Sequence, residues 1–330
     1  MKKIGIVGVT GAVGQELLQV LFERKFPFSE LVLLASERSA GKTIKTPFGE
    51  MVIEEFTRER AEKLDILFLA VGGDFSKEHA PYLAEKGVLV IDNSSAFRYD
   101  DAVPLIVPAI NASAIGDHKL IANPNCTTAI LGMPLFPIYQ ELGLKRVIVS
   151  TYQATSGAGA AGMAELETET RHFLAGGLVK NEVFAHPIPF NLIPQIDVFQ
   201  SNGYTKEEMK VTWETRKIFN LPSLPISCTA VRIPTFRAHA ESVTIETEKP
   251  VNIEKIREIL SAAPGVDLVD NPEKREYPMP LNATKKYNVE VGRLRKNDVF
   301  GDFGLDFFVC GDQLLRGAAL NAVEIAEETL

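Results

Sequence analysis

Short apolar runs alternate with amphipathic stretches over the first third of the chain, the pattern of parallel strands joined by crossover helices. Runs at residues 3–9, 31–35, 66–71, 88–91 and 105–107 read as strands. Between them, residues 13–25 and 76–86 repeat apolar positions at helical spacing, so a doubly wound α/β sheet is the economical reading. After Cys126 the texture changes: a long apolar helix to about Leu142, a strand at 146–153, and a Gly/Ala-rich segment at 156–162. Residues 204–219 and 253–262 read as helices, while 239–247 alternates in and out as a half-buried antiparallel strand does. An α+β second domain fits this half. The last stretch, 313–328, sets Leu314, Leu315, Ala318, Ala319, Ala322, Val323 and Ala326 at helical spacing and therefore needs a surface to pack on. Periodicity does not say which domain supplies it.

Length agrees with two domains, since 330 residues exceed what one core usually organises. Hydrophobic residues at 45% and charged residues at 24% are ordinary globular values, which excludes wholesale disorder. The net charge of -8, without a basic run, argues against a nucleic-acid surface but leaves small anions as partners. Gln15 and Glu16 interrupt the apolar start too early for a signal peptide, and no window reaches the roughly 18 apolar residues of a membrane span. Cytoplasm is the expected location. Cys126, Cys228 and Cys310 are an odd number, far apart and without a C-x-x-C pair, so neither a disulfide framework nor a metal site is expected.

Two motifs carry chemistry. Gly8-Val9-Thr10-Gly11-Ala12-Val13-Gly14 follows a strand and opens a helix, where glycines allow a tight turn and close approach to a pyrophosphate at the helix N-terminus. Its bland alternative is a glycine turn without a ligand. At the end of the second strand, Glu37 suits the ribose hydroxyls of NAD, whereas Arg38 between Ser36 and Ser39 offers charge and hydroxyls to a 2′-phosphate and favours NADP. In the second motif, Asn123-Pro124-Asn125-Cys126-Thr127-Thr128, the cysteine stands at the start of the apolar helix. The helix dipole and first-turn N–H groups favour a thiolate and suit an oxyanion formed beside it. A buried, inert cysteine is the other reading.

The glycine loop, Asn93-Ser94-Ser95-Ala96-Phe97-Arg98, the Cys126 motif, Ser156-Gly157-Ala158-Gly159, Glu207 with Lys210, and the segment 231–239 from Val231 and Arg232 to His239 together resemble the aspartate-semialdehyde dehydrogenase family, in that family's order and through nearly the whole chain. The resemblance implies a Rossmann-type NADP-binding domain at 1–125 with the helix 312–330 packing back on it. It also implies a glyceraldehyde-3-phosphate-dehydrogenase-like α+β catalytic and dimerisation domain at 126–311, and a homodimer.

For the site, the same resemblance makes Cys126 the nucleophile, His239 the acid/base and Gln153 the residue that orients substrate. Gly8, Thr10, Gly11, Ala12, Val13, Arg38, Ser39, Ser156, Gly157 and, less firmly supported by the motif, Gln313 are the implied cofactor contacts. Arg98 and Lys210 hold phosphate with Asn125 nearby, Arg232 holds the substrate carboxylate, and Glu207 takes its ammonium. On residue pattern alone, Glu207 and Lys210 three apart also describe an exposed ion pair, and His239 a structural histidine. The implied reaction is reversible NADPH-dependent reductive dephosphorylation of 4-phospho-L-aspartate to the semialdehyde, in biosynthesis of lysine, threonine, methionine, isoleucine and diaminopimelate. An N-acetyl-gamma-glutamyl-phosphate reductase, or a nucleotide-sensing paralogue without catalysis, stays open beside it.

Overall fold

The computed structural model describes residues 1–178 and 180–330. Among the described residues, 1–125 with 318–330 form one compact unit and 126–317 another.

In the first unit, β1 (Lys2–Val7), α1 (Ala12–Glu23) and β2 (Phe28–Ala35) are followed by the strand pair β3 (Thr43–Thr46) and β4 (Gly49–Glu55). Then come α2 (Arg58–Ala61), β5 (Ile66–Leu69), α3 (Gly73–Glu85), β6 (Leu89–Asp92), α4 (Pro108–Asn111) and β7 (Leu120–Ala122). The sheet order is β3-β4-β2-β1-β5-β6-β7, parallel throughout except for the antiparallel β3 against β4. Strands such as β5, with all four side chains buried, are apolar on both faces because helices cover both. Their core gathers Val7, Leu34, Leu67, Leu69, Leu83 and Val90.

The segment 105–107 differs from its strand reading. Leu105 makes a single bridge to Ala122, and β7 takes the sheet position beside β6. The β3–β4 pair also lacked a signal, because its polar, half-exposed residues bury one face only weakly.

The second unit begins with α5 (Cys126–Leu142) and β8 (Arg146–Gln153), then α6 (Gly159–Leu174) and α7 (Lys206–Ile218). It continues with β9 (Ile226–Arg232), β10 (His239–Glu246), α8 (Ile253–Ala262), β11 (Val266–Leu268), α9 (Pro280–Ala283), β12 (Val289–Lys296) and β13 (Gly304–Gly311). Its mixed sheet runs β11-β12-β13-β10-β8-β9. A helix apolar on every side must lie inside, and α5 does, packed against α7, α8, β12 and β13. The register pairs Ala240 with Tyr152 and His239 with Gly311, which sets the start of β10 beside the end of β13.

The chain end carries a correction: residues Leu315–Ala319 wind as a π-helix, so the terminal α-helix, α10 (Leu320–Glu327), starts later than the apolar spacing from 313 indicates. Within the first unit α10 packs on α1 and α4, and Asn321 donates to the carbonyl of Ile106 at 2.8 Å and to Oδ1 of Asn123 at 2.7 Å.

Candidate active site

The glycine loop closes the β1–α1 turn by backbone necessity. Gly8 has φ +87°, and a Cβ there would stand 2.3 Å from the carbonyl oxygen of Ala70; at Gly14 it would stand 2.4 Å from the oxygen of Gly8. Gly11 is the N-cap of α1 and brings no side chain to the helix start, so the first-turn N–H groups face outward for an anion. Beside the loop lies a cleft of about 300 Å³ whose lining includes Gly8, Thr10, Ser36, Glu37, Ser39 and the apolar Phe75. Arg38 is exposed on the turn between Glu37 and Ser39 and is not part of that lining. The dimensions and composition fit the adenosine end of a dinucleotide.

In the same unit, Arg98 is buried, with Nε donating to the carbonyl of Asn123 at 2.8 Å and Nη2 to that of Asn93 at 2.9 Å. Two of its donors therefore hold the loop that presents it. Asn125 is buried one residue before α5. Ser94 caps locally, its Oγ accepting from Ala96 N–H at 3.1 Å and donating to Asp92 at 2.7 Å.

The second unit brings Cys126, His239, Gln153, Glu207, Lys210 and Arg232 together. Cys126 is the first residue of α5 and half-buried, and its Sγ lies 3.4 Å from Nε2 of His239. Gly317 makes the position possible, since a Cβ there would fall 2.5 Å from that of Cys126. His239 is fully buried, and its Nδ1 accepts the backbone N–H of Ala154 at 3.0 Å. An accepting Nδ1 puts the proton of the neutral ring on Nε2, toward the sulfur. Burial, reinforced by the Arg232 guanidinium and opposed by Glu207, pushes His239 down to about 3. The ring is therefore neutral at physiological pH, which differs from a histidine titrating near its ordinary value.

Gln153 ends β8 with its amide fixed at both atoms: Oε1 accepts from Thr151 Oγ1 at 3.0 Å and Nε2 donates to Glu207 at 3.2 Å. Arg232, at the end of the neighbouring β9, donates from Nη1 to the carbonyl of Ala154 at 2.6 Å. Glu207 is placed by its helix. Thr205 and Glu208 form a capping box on α7, and Glu208 also accepts Ala230 N–H at 2.9 Å, tying the first turn to β9. Glu207 and Lys210 then share a face, 2.9 Å apart. Glu207 is buried and Lys210 half-buried, and Lys210 also reaches Asp197 at 2.9 Å. Burial works against the lysine's charge, but the carboxylates of Glu207 and Asp197 outweigh it and hold Lys210 above the usual lysine range.

Ser156 and Gln313 meet each other: Gln313 Nε2 donates to Ser156 Oγ, while its Oε1 accepts Ala238 N–H at 2.8 Å. Gly157 leaves room for Arg232, because a Cβ there would stand 2.8 Å from Nη1. Sequence reasoning passed over Asp197, which sits at φ +69° in an irregular loop, and Asp312, which is fully buried; no periodic signal marks either one. Among the described residues, no group of three His, Cys, Asp or Glu side chains is placed to hold a metal, and no helix is long and apolar enough to cross a membrane.

A thiol, a proton-bearing imidazole nitrogen, an oriented amide and a buried guanidinium in one cluster are the parts of carbonyl chemistry at sulfur. Residues 3–118 match the family model described as semialdehyde dehydrogenase, NAD binding domain, and residues 135–316 the model described as semialdehyde dehydrogenase, dimerisation domain. The chain is 49% identical to the aspartate-semialdehyde dehydrogenase of Aquifex aeolicus, covering 98% of this chain and 97% of that one. The enzyme of that name from Synechocystis sp. is 44% identical over 98% and 96% of the two chains. Among solved structures, aspartate semialdehyde dehydrogenase II from Vibrio cholerae, complexed with ASA, superposes with a TM-score of 0.95 at 43% identity, covering 99% of this chain and 98% of that one.

Proposed function

Since the chain belongs to the aspartate-semialdehyde dehydrogenase family, we propose that it reduces 4-phospho-L-aspartate to L-aspartate 4-semialdehyde with NADPH, reversibly, through a thioester on Cys126. The observation that carries the reading is the 3.4 Å approach of Cys126 Sγ to His239 Nε2, with the ring's proton on that nitrogen.

The residues divide the work as follows. Gly8, Thr10, Gly11, Ala12 and Val13, with Arg38 and Ser39, hold the dinucleotide in the first unit; Ser156, Gly157 and Gln313 are its contacts in the second. When bound, the cofactor supplies or accepts a hydride. Arg98 and Lys210, with Asn125, hold phosphate; Arg232 offers a bidentate fork to the α-carboxylate, and Glu207 takes the ammonium.

In the reductive direction the Cys126 thiolate attacks the acyl carbon and the C–O bond to phosphate breaks, leaving a thioester. The one proton consumed overall ends on the departing phosphate. Hydride addition to the thioester carbonyl gives an oxyanion, which collapses with cleavage of the C–S bond, releasing aldehyde and thiolate. A neutral His239 serves each step as a donor: Nε2–H stabilises the thiolate first and the carbonyl-derived oxyanion afterwards. Gln153 fixes the acyl group beside the sulfur.

On this reading the enzyme acts in the cytoplasm, and it acts as a homodimer, which the match to a dimerisation domain supports. The test is phosphate-dependent NADPH formation from L-aspartate 4-semialdehyde. Activity in the wild type that disappears in Cys126→Ala is expected; an inactive wild type, or a fully active Cys126→Ala, overturns the reading. A free ammonium partner for the buried carboxylate of Glu207 is what favours aspartyl over N-acetylglutamyl substrates.

A further inference from the structure

We propose that Asp312 is a positioning residue of this reaction: through Arg237 it holds Ala238 in the left-handed backbone conformation that aims His239 at the sulfur of Cys126. The proposal rests on the function just assigned to that pair, and none of the three residues touches the reacting atoms.

The turn into β10 is strained at one place. Ala238 has φ +67°, a region that a residue with a Cβ disfavours, and it is fully buried immediately before His239. Such a conformation persists only where the surroundings over-determine it. Two bonds do so here. On one side the N–H of Ala238 donates to Oε1 of Gln313 at 2.8 Å, and on the other Arg237 Nε donates to Oδ2 of Asp312 at 2.5 Å.

Asp312 is itself locked. Its Oδ2 also accepts the N–H of Lys285 at 2.6 Å, its Oδ1 accepts that of Leu314 at 3.0 Å, and none of the residue is exposed. It follows Gly311, the register partner of His239, so the carboxylate stands where β13 ends and β10 begins. Released from the clamp, Ala238 relaxes toward negative φ and the imidazole turns with it. Displacements of that size beside a nucleophile cost rate.

Glycine at 238 tests the clamp, because it adopts positive φ without the penalty that a Cβ carries there. Arg237→Gln and Asp312→Asn are expected to lower kcat in the phosphate-dependent assay about 10- to 100-fold with little change in KM. Adding Ala238→Gly to either is expected to return kcat to within about threefold of wild type. Ala238→Gly alone stays within about twofold.

A second readout is the rate at which iodoacetamide alkylates Cys126, followed by mass spectrometry across pH. Loss of the Nε2–H donor moves its midpoint upward in the clamp variants, and glycine restores it. This readout needs no substrate, so it decides the proposal even if the semialdehyde is not turned over. Should Asp312→Asn fail to fold, Arg237→Gln with and without Ala238→Gly carries the test. Wild-type kcat and alkylation in the folded clamp variants overturn the proposal, as does a glycine double variant no better than its parent.

Discussion

The backbone N–H of Ala154 donates to Nδ1 of His239 over 3.0 Å, and this one bond decides that the imidazole presents a proton, not a lone pair, to the sulfur of Cys126. Protonating Nδ1 would set two N–H groups against each other. Burial and the Arg232 guanidinium act in the same direction, holding the ring near 3. Nitrogen-detected NMR of the His239 side chain should therefore show the neutral Nε2–H tautomer unchanged from pH 8 to pH 5. An imidazolium pattern appearing near pH 6.5, the ordinary histidine value, would contradict it.

Acid stability follows from the same shift, with a definite sign. A histidine whose folded pKa lies below its unfolded value binds its proton in the unfolded state first. Its contribution is neutral above about pH 6.5 and destabilising as pH falls from there toward 3. The slope is roughly 1.4 kcal/mol per pH unit inside that window. Urea denaturation at pH 7, 6 and 5 should show His239→Asn losing less stability with acidification than the wild type does. Parallel curves for the two proteins would remove His239 from the acid response.

Much of this architecture is legible in the residues, and the failures have physical causes. The strands β1, β2, β5 and β6 and the helix α5 announce themselves as continuous apolar runs, and α8 by its amphipathic repeat, which buries Ile256 and Leu260. Helix α6 does not: Gly159 and Gly162 in its first turn have poor helix propensity, and tertiary packing of Leu166 on Ile188 and Ile193 overrides it. The pair Glu207 and Lys210 shows the limit of spacing. Three residues apart describes a solvated ion pair as well as one largely withdrawn from solvent, and only the fold, which adds Asp197 to Lys210 and Gln153 to Glu207, selects the second. Asp312 is beyond sequence reach altogether, since its partners Arg237 and Lys285 come from separate turns.

Gly157 tests the packing around Arg232. A methyl group there meets Nη1 at 2.8 Å and the imidazole edge of His239 at 3.6 Å, so the guanidinium must give way. Overpacking of this kind usually costs about 1 to 3 kcal/mol. In steady-state assays Gly157→Ala should raise KM for the semialdehyde more than it lowers kcat, because the displaced group is the one assigned to the substrate carboxylate. An unchanged KM with a fall in kcat alone would place Arg232 elsewhere in the mechanism.

Glu207 offers the sharpest test of substrate recognition. Its two oxygens are already bridged to Gln153 at 3.2 Å and to Lys210 at 2.9 Å, so its carboxylate is held rigidly before any substrate arrives. A prepaid orientation makes the ammonium contact strong, and replacing a charge-assisted bond by a neutral one costs roughly 1.5 to 3 kcal/mol. Glu207→Gln, nearly isosteric, should therefore raise KM for L-aspartate 4-semialdehyde by about 10- to 100-fold on that figure. Succinate semialdehyde, which lacks the amino group, supplies the control: its weak turnover should change little between wild type and variant. Equal losses on both substrates would mean that Glu207 acts by holding Gln153 and Lys210 in place, and that the ammonium is bound by some other group.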